Sequence, residues 1–439
     1  MSGYRSTRSG GVTASLSEAI FQGPAPDGGL YIPSVVPQVD AARIARESTS
    51  FAETARRMAI ALLGHEVPPA MLEEIVAEAL DFPVPLVPIG DGLHVLELFH
   101  GPTAAFKDVG ARFMASLMER LDPEPERARL VLVATSGDTG GAVADAFVRL
   151  PRFKVVVLFP EHGVTDEQRR IFTTLGGNVT AVAVKGTFDT CQALVKSAFR
   201  SGESRRLALT AANSINIGRL IPQSFYYVDA VRQGAWDREA VFSVPSGNLG
   251  NVTGGLIAAL AGLPVRRCRR KTSFALSAAT SFATGSAGRQ ETRKTLSSAM
   301  DVGDPSNLER LSALTGMSLD ELRRWFWSAS FDDDQTVATM ARAHRERGYL
   351  FDPHGAVGML GAEAYREHAR TDAPTVVLAT ADPAKLPDIV EAATGVRPRV
   401  PAAIARALRE EERTVPLGDD LPGLLELLDE VAGGRMVAR

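Results

Sequence analysis

Between residues 130 and 200 the chain alternates three times between a short apolar run and a longer amphipathic segment. The apolar runs span residues 130–135, 154–159 and 179–184, and the helical patterns after them span residues 142–150, 166–175 and 189–200. Apolar runs without a polar face are typical of parallel strands that helices cover on both sides. This alternation predicts a parallel sheet and constrains the fold more than any other feature.

Two more units of this kind open at residues 240–244 and 375–380, where each apolar run is followed by Gly or Pro and then by a helical pattern. We therefore predict an α/β protein with two doubly wound open sheets. Residues 1–90 differ, because residues 51–80 carry two helical patterns and a turn at residues 28–33 leads into an extended segment.

The length of the chain predicts more than one domain. At 439 residues it exceeds what one hydrophobic core usually supports. Prolines at positions 83, 85 and 88 mark the first boundary. We predict a mainly helical domain at residues 1–90, an α/β domain at residues 91–230, and a second α/β domain with C-terminal helices at residues 231–439.

Composition and charge exclude several classes of function. Hydrophobic residues make up 45% of the chain and charged residues 23%, as in ordinary globular proteins, and no apolar run reaches the roughly 18 residues of a membrane span. A net charge of −4 gives no general attraction to nucleic acid or to an anionic membrane. Two cysteines form no disulfide framework, and the seven histidines show no metal-ligand spacing. We expect a cytoplasmic enzyme with a small-molecule substrate and no metal.

One lysine, Lys107, lies inside a compact turn of mostly small residues near the end of the segment 97–108. A lysine is expensive to place in such a turn unless its amine has a chemical role. A desolvated amine has a lowered pKa and can form a Schiff base with an aldehyde cofactor. Lys107 is therefore the first candidate for a catalytic residue.

Three loops that follow predicted strands are candidates for ligand binding, because ligands of doubly wound proteins sit at the carboxyl ends of the strands. Residues 135–140 combine hydroxyls, small residues and a helix start into a cradle for a carboxylate or phosphate. Residues 246–251 carry two glycines that allow close backbone approach to a phosphate. Residues 379–383 place the hydroxyl of Thr380 at the tip of a strand.

Each of these motifs alone is weak evidence. A glycine-rich turn between strand and helix is more often only a turn, and a single lysine is more often solvated than catalytic. Together they match the needs of a pyridoxal 5′-phosphate (PLP) enzyme, which are a Schiff-base lysine, a phosphate cradle and a partner for the pyridine nitrogen. The combination therefore predicts PLP as the cofactor.

Matches to one known family are spread over the whole chain. They comprise the lysine motif and residues 4–8, 25–31, 135–140, 176–178, 191–195, 213–216, 246–251, 299–303 and 352–354. On these segments the chain resembles the threonine synthase family of PLP enzymes, and the lysine motif and the segment around Asn213 are specific to that family. The resemblance implies the tryptophan-synthase-β-like fold, known as PLP fold type II.

The resemblance also assigns roles to individual residues. It implies that Lys107 forms the Schiff base and that Thr380 faces the pyridine nitrogen, where a hydroxyl avoids the ion pair that would keep the ring protonated. The residues implied to line the PLP phosphate are Gly247, Asn248, Leu249 and Asn251, with Leu249 where many members have Phe. Those implied to hold the substrate carboxylate region are Ser136, Asp138 and Thr139. Those implied to receive the substrate phosphate are Asn213, Ser214, Asn216 and Arg219, the last through a charge-assisted fork.

The implied reaction converts O-phospho-L-homoserine and water to L-threonine and phosphate, which is the chemistry of a PLP-dependent carbon–oxygen lyase of threonine biosynthesis. Lys107 would be displaced by the substrate amine and then move protons at Cα and Cβ, which needs an amine with a pKa near neutrality. Two alternatives stay open. One is a PLP-dependent phospho-lyase acting on a related phosphorylated hydroxyamino acid. The other is a PLP-binding protein inactivated by a divergent segment at residues 266–290.

That segment interrupts the resemblance. A parallel sheet calls for a buried strand around residues 265–272, but residues 266–271 include five cations, which enter a sheet interior unpaired only at a prohibitive cost. Two explanations compete: a surface excursion particular to this lineage, or a stretch translated out of frame and then corrected. The abrupt loss and return of the match favours the second. If the segment is genuine protein, it predicts that the sheet loses a strand.

The remaining conspicuous residues receive structural interpretations. His100 is expected to pack or to bind the backbone, and His354 to belong to a helix cap. Cys191 is expected to be buried in a helix. Trp325 and Trp327 are assigned to an amphipathic helix.

Overall fold

The computed structural model describes residues 3–9, 11–236, 238–263, 274–278, 294–318, 320–322 and 326–434. Its described strands are β1 (Tyr4–Ser6), β2 (Thr13–Ala14), β3 (Tyr31–Pro33), β4 (Leu86–Gly90), β5 (Leu93–Glu97), β6 (Arg129–Ala134), β7 (Phe153–Pro160), β8 (Val179–Val184), β9 (Leu209–Ala211), β10 (Val241–Ser246), β11 (Phe274–Ala278), β12 (Phe326–Ala329), β13 (Thr375–Ala379) and β14 (Thr414–Leu417). Its described α-helices are α1 (Leu16–Gln22), α2 (Ala41–Glu47), α3 (Phe51–Leu63), α4 (Pro69–Ala79), α5 (Lys107–Leu121), α6 (Asp138–Phe147), α7 (Asp166–Thr173), α8 (Phe188–Arg200), α9 (Glu203–Arg206), α10 (Ile217–Leu220), α11 (Phe225–Gly234), α12 (Gly250–Leu260), α13 (Leu308–Thr315), α14 (Asp333–Arg347), α15 (Pro353–Ala369), α16 (Pro387–Thr394), α17 (Ala402–Ala407) and α18 (Leu421–Ala432).

Five strands form a parallel sheet in the order β14-β8-β7-β6-β9. Strands β6, β7 and β8 are buried along nearly their whole length, which explains their continuous apolar sequences. The three predicted strand–helix pairs between residues 130 and 200 are confirmed, and β8 has the predicted bounds. Helix α6 begins at Asp138, four residues before its predicted start.

Six strands form the second sheet, in the order β12-β11-β10-β13-β5-β4. All neighbours in it are parallel except the β4–β5 pair. Strands β10 and β13 are those predicted near residues 240 and 375, and both are fully buried. The predicted α/β architecture with two doubly wound sheets is thus confirmed.

The sheet pairings cut across the predicted domain boundaries. The boundary after residue 90 separates β4 from β5, although these strands pair with each other in the six-stranded sheet. Strand β14, near the C-terminus, pairs with β8 in the five-stranded sheet. The chain therefore crosses between the two sheets three times, so a division by sequence position does not reproduce the division by sheets.

The six-stranded sheet keeps the strand that we expected it to lose. Strand β11 lies between β10 and β12 and pairs in parallel with both, so the strand comes after the cations at residues 266–271 instead of among them. Those cations, with the rest of residues 266–290 apart from β11, lie outside the described residues. The assignment of Trp327 to a helix is also wrong, because Trp327 lies in β12, and Trp325 is outside the described residues.

The N-terminal part of the chain forms a small antiparallel sheet, in the order β2-β1-β3, together with helices α1 to α4. Tyr4 in β1 and Tyr31 in β3 are almost fully buried, which anchors this sheet on the rest of the molecule. The predicted helices within residues 51–80 are α3 and α4. None of the helices in the described part of the chain combines the length and apolar character of a membrane span.

Candidate active site

A cleft of about 1140 Å³, counting its opening to solvent, lies where the carboxyl ends of strands from both sheets face each other. The structure brings the three strand-end loops and the Lys107 turn together around it. The predicted site residues that line it are Lys107, Ser136, Asp138, Thr139, Asn213, Ser214, Arg219, Gly247, Asn248, Leu249, Asn251 and Thr380. Among the predicted site residues, Asn216 lies outside the described lining.

The turn before Lys107 is held rigid by a buried carboxylate. Asp108 accepts hydrogen bonds from the Thr103 amide (2.9 Å) and the Thr103 hydroxyl (2.5 Å). A Cβ added at Gly101 would lie 2.4 Å from an Asp108 oxygen, so only glycine fits there. The amide of Phe106 donates to the carbonyl of Thr380 at 2.9 Å, which joins this turn to the loop after β13. Lys107 is thereby fixed as the first residue of α5, facing the cleft.

The amine of Lys107 is partly buried, with 17% of the side chain exposed, and lies 3.8 Å from an Asp138 carboxylate oxygen. Burial lowers the pKa of Lys107 from 10.5 to about 8. The negative charge of Asp138 opposes this lowering of the pKa, whereas the positive charges of Lys385 and Arg219 add to it. An amine with such a pKa has an appreciable neutral fraction near pH 7, which a nucleophile or base requires.

The predicted phosphate loop ends in the start of helix α12. The backbone of Leu249, immediately before the helix, is left-handed (φ 56°), and its apolar side chain cannot cap the helix start with a hydrogen bond. The first amides of a helix have no partner inside the helix, so this end is open to an anion. Gly247 is required on steric grounds, since a Cβ there would lie 2.8 Å from Met300 Cα and 2.9 Å from the Ala299 carbonyl oxygen.

Buried polar atoms beside this helix end fit a phosphate group. The side-chain oxygen of Asn251 accepts hydrogen bonds from the hydroxyls of Tyr226 (2.7 Å) and Tyr227 (2.8 Å). The amide nitrogen of Asn251 and the hydroxyl of Ser246 are buried with no hydrogen-bond partner in the described part of the chain. Such atoms are costly to leave unpaired. Donors of this kind are what the phosphate of PLP needs, so the residues present fit the cofactor.

Asn248 connects the phosphate loop to the opposite wall of the cleft. Its amide nitrogen donates to the Ser214 hydroxyl (2.7 Å), and its side-chain oxygen accepts from the Ser306 amide (2.6 Å). Arg310, almost fully buried, supports the same wall by donating to the carbonyls of Ser214 and Ile215. Burial lowers the pKa of Arg310 to about 9. The Asn213–Ser214 segment is therefore held from both sides.

Arg219 is the one buried guanidinium that lines the described cleft. One nitrogen donates to the Ala212 carbonyl at 2.6 Å, and its Nε is buried with no partner among the described residues. Burial lowers the pKa of Arg219 to about 10, and the charge of Asp108 opposes that change. Asn216 caps the short helix α10, which carries Arg219, by accepting from the Gly218 amide at 3.0 Å. Its amide nitrogen donates to the Ile20 carbonyl at 2.7 Å, so Asn216 supports Arg219 from behind.

The loop at residues 135–140 is closed by Thr135, whose hydroxyl accepts hydrogen bonds from the amides of Gly137 and Gly140. The carboxylate of Asp138, by contrast, already accepts hydrogen bonds from two side chains. One of its oxygens lies 2.9 Å from the amine of Lys385 and 3.1 Å from the amide nitrogen of Gln168. The hydroxyls of this loop and the start of α6 are, in turn, suited to an anion.

Sequence reasoning missed Lys385 and misplaced His354. Lys385 follows the Thr380 loop by five residues, so extending that motif to the next cation would have found it. Asp352, not His354, caps helix α15, by accepting from the Gly355 amide. His354 lines the cleft, where one ring nitrogen bonds Asp352 (2.6 Å) and the other accepts from the Ala299 amide (3.2 Å).

The other two structural interpretations concern residues away from the described lining of the cleft. His100 bonds the Glu97 carboxylate at 2.7 Å, a side-chain partner instead of the expected backbone. Cys191 is fully buried in α8, as predicted, and burial raises the pKa of its thiol to about 12. Neither residue is needed to build the site.

The fold and this cleft define an enzyme of the PLP-dependent class, and residues 85–381 match the family model described as pyridoxal-phosphate dependent enzyme. Two further family models are more specific. Residues 3–80 match the threonine synthase N terminus, and residues 355–425 match the C-terminal part of threonine synthase. The chain belongs to the threonine synthase family.

Individual relatives agree with this membership. Threonine synthase from Escherichia coli (strain K12) is 40% identical over 395 residues, and that from Haemophilus influenzae is 39% identical over 396 residues. Each alignment covers 89% of this chain and 91% of the relative. The solved structure of PLP-bound threonine synthase from Brucella melitensis superposes with a TM-score of 0.88 at 35% identity, covering 98% of this chain and 100% of that chain. Yeast threonine synthase gives 0.86 at 30% identity, covering 99% of both chains. The predicted fold type II is confirmed.

Solved structures of lower sequence identity share only the fold. Threonine deaminase isoform 2 from Solanum lycopersicum is 20% identical, with a TM-score of 0.54 over 74% of this chain and 93% of that chain. The high identity to threonine synthases therefore favours that family over a different PLP-dependent lyase.

Proposed function

We propose that the protein converts O-phospho-L-homoserine and water to L-threonine and phosphate, with PLP as its cofactor. One observation carries this proposal: an amine with a lowered pKa, that of Lys107, faces the same cleft as the unpaired buried donors of Ser246 and Asn251. The lysine is the first residue of α5, whereas the donors lie at the end of β10 and the start of α12, and a PLP enzyme needs both features.

The cofactor is proposed to lie with its phosphate against the start of α12. Gly247, Asn248, Leu249 and Asn251 would surround that phosphate, as the sequence resemblance implies. Thr380 would face the pyridine nitrogen with a neutral hydroxyl. Bound in this way, PLP supplies an electron sink for negative charge that develops next to the substrate amine.

Lys107 is proposed to move protons at the Cα and Cβ atoms of the substrate. Its lowered pKa supports this role, because an amine that titrates near the working pH can both accept and donate a proton. The small residues of the turn at 101–106 and the bond from Phe106 to Thr380 fix the position of that amine. Proton transfer between fixed partners avoids the entropic cost of bringing them together.

The two anionic ends of the substrate are proposed to bind at different walls of the cleft. Arg219, with Asn213 and Ser214, is proposed to receive the phosphate that leaves from Cγ, and the Nε of Arg219, which has no partner among the described residues, supports this role. Ser136 and Thr139, beside the start of α6, are proposed to bind the carboxylate, with Asp138 in the same loop.

A cytoplasmic location stays the expectation drawn from the composition. The two cysteines of the chain fit a reducing compartment, and Cys191 is a buried free thiol.

The test is product analysis with purified protein and O-phospho-L-homoserine. We expect threonine and phosphate in equal amounts, and a visible absorbance band from lysine-bound PLP that disappears in Lys107→Ala. The exposed Lys196 on α8 provides the matched control, because Lys196→Ala removes a lysine outside the described lining of the cleft. A 2-oxo acid and ammonia as products would instead identify the alternative phospho-lyase. Colourless wild-type protein without PLP by mass spectrometry would overturn the proposal as a whole.

A further inference from the structure

A second lysine lies buried behind the cleft. Lys385 is 1% exposed and ends the short turn Pro383–Lys385 that follows β13. Its amine lies 2.9 Å from one carboxylate oxygen of Asp138. Burying an ammonium group this completely requires a paired counter-charge, and Asp138 provides it.

The same carboxylate also faces the reactive lysine. The second oxygen of Asp138 lies 3.8 Å from the amine of Lys107, which is longer than the contact to Lys385. One carboxylate neutralises only one of two buried ammonium groups. The shorter contact assigns that carboxylate to Lys385, which leaves Lys107 as the amine that can give up its proton.

The position of Lys385 is fixed by a second contact. Its backbone carbonyl accepts a hydrogen bond from the hydroxyl of Thr165 at 3.0 Å. Thr165 caps helix α7, which also carries Gln168, and Gln168 donates to the same Asp138 oxygen. Lys385 follows a strand of the six-stranded sheet, whereas Asp138 and Thr165 follow strands of the five-stranded sheet. The Lys385–Asp138 pair therefore joins the two sheets next to the cleft.

We propose that Lys385 is a positioning residue that holds the Asp138 carboxylate, so that this carboxylate does not bind the amine of Lys107 as an ammonium. The proposal rests on the proposed function, in which Lys107 is the cofactor lysine. It adds a specific partner that keeps that lysine free to react.

Several other charged groups lie near this cluster. Arg219 donates to a backbone carbonyl, and Asp352 is bound by His354 and by a helix amide. His354 acts electrostatically on Asp138, and Asp108 and Asp382 lie within electrostatic range of Lys385. Among the charged groups, Asp138 and then Lys385 influence the pKa of Lys107 most.

The test measures the titration of Lys107 in the apoprotein, independently of turnover. The probe is trace acetylation by acetic anhydride at a series of pH values, quantified by peptide mass spectrometry with exposed Lys196 as the internal reference. The variants are Lys385→Met and Lys385→Gln, which remove the charge, and Lys385→Arg, which keeps it. An opposite charge within about 4–6 Å shifts a pKa by about 1–3 units, and removing Lys385 leaves Asp138 to Lys107 alone.

We expect the midpoint for Lys107 to rise by one pH unit or more in the Met and Gln variants, which makes acetylation at pH 7 at least about ten-fold slower. Lys385→Arg should stay closer to wild type. An unchanged midpoint in a folded Met or Gln variant would overturn the proposal. Should both fail to fold, wild type can still contradict the proposal, because a Lys107 midpoint near that of Lys196 is incompatible with a free amine. Failure of the proposed function is distinguishable, since it appears as missing threonine or missing PLP while the Lys107 midpoint still responds to Lys385.

Discussion

The replacement of Asn251 by Asp tests the phosphate cradle with little change of shape. The Asn251 oxygen accepts hydrogen bonds from Tyr226 and Tyr227, and a carboxylate oxygen keeps both. The amide nitrogen, which is buried beside the start of α12 with no partner in the described structure, is replaced by the second oxygen of a carboxylate. Asn251→Asp thus removes one donor and adds one charge at the position where the PLP phosphate is proposed to bind.

The size of the effect follows from the lost hydrogen bond. A hydrogen bond to a charged group contributes about 1.5–3 kcal/mol, which corresponds to an affinity ratio of about 10 to 150. Repulsion between the new carboxylate and the phosphate adds to this loss. We therefore expect PLP to bind Asn251→Asp at least about ten-fold more weakly than wild type.

The assay is reconstitution of apoprotein with PLP, followed by visible absorbance, with the free energy of unfolding of each apoprotein measured by urea denaturation. Asn251→Ala is the matched control, because it also removes the side-chain oxygen that accepts the hydrogen bond of the buried Tyr226 hydroxyl. Leaving buried polar groups unpaired costs about 1–3 kcal/mol, so Asn251→Ala should destabilise the apoprotein whereas Asn251→Asp should do so far less. A folded Asn251→Asp protein that binds PLP as tightly as wild type would refute the placement of this amide against the phosphate.

Two further predictions concern packing and charge at the site. Gly247→Ala should lower the free energy of unfolding by about 1–3 kcal/mol, because the added Cβ meets the backbone of Met300. Gly202→Ala is the control and should change this free energy little, because its added Cβ meets no described atom within 4 Å. Equal urea midpoints for the two variants would contradict the steric argument. Lys107→Met should stabilise the apoprotein at pH 7, because burial lowers the pKa of Lys107 to about 8 and folding therefore buries an ammonium below that pH. Between pH 8 and 10.5 the unfolded chain binds more protons than the folded chain, so the free energy of unfolding of wild type should rise by up to about 3 kcal/mol relative to that of Lys107→Met. If urea titrations show the same difference in free energy between the two proteins throughout this pH range, Lys107 titrates normally.

The sequence predicts best the elements that are buried on both faces. Strand β8 has the predicted bounds, since nearly every residue from Val179 to Val184 is buried and the apolar run is therefore continuous. Strand β14 was not predicted, because its residues are exposed or half-buried and its sequence lacks such a run. The early start of α6 was missed for a related reason. Its first turn contains Gly140 and Gly141, which disfavour a helix in isolation, and here the Gly140 amide is held by the Thr135 hydroxyl.

The site was predictable where it depends on single loops. Loops that follow parallel strands lie at the carboxyl edge of their sheet, and these edges of the two sheets face each other, which is why the motifs around residues 135–140, 246–251 and 380 meet at the cleft. Lys385 could not be placed in this way, since its contact with Asp138 requires β13 to lie in the other sheet. Asp138 shows the same limit: its motif marks the cleft, but only the fold reveals that its carboxylate is already bound by Lys385.

The order in which the strands are synthesised sets a problem for the nascent chain. Strand β5 pairs with β13, and β8 pairs with β14, so each strand emerges from the ribosome long before its neighbour. At about 5–20 residues per second, β5 waits on the order of tens of seconds for β13. During that time its open edge can pair with other chains, which is a route to aggregation. The topology therefore leaves each sheet with an open edge during translation, until its last strand has been made.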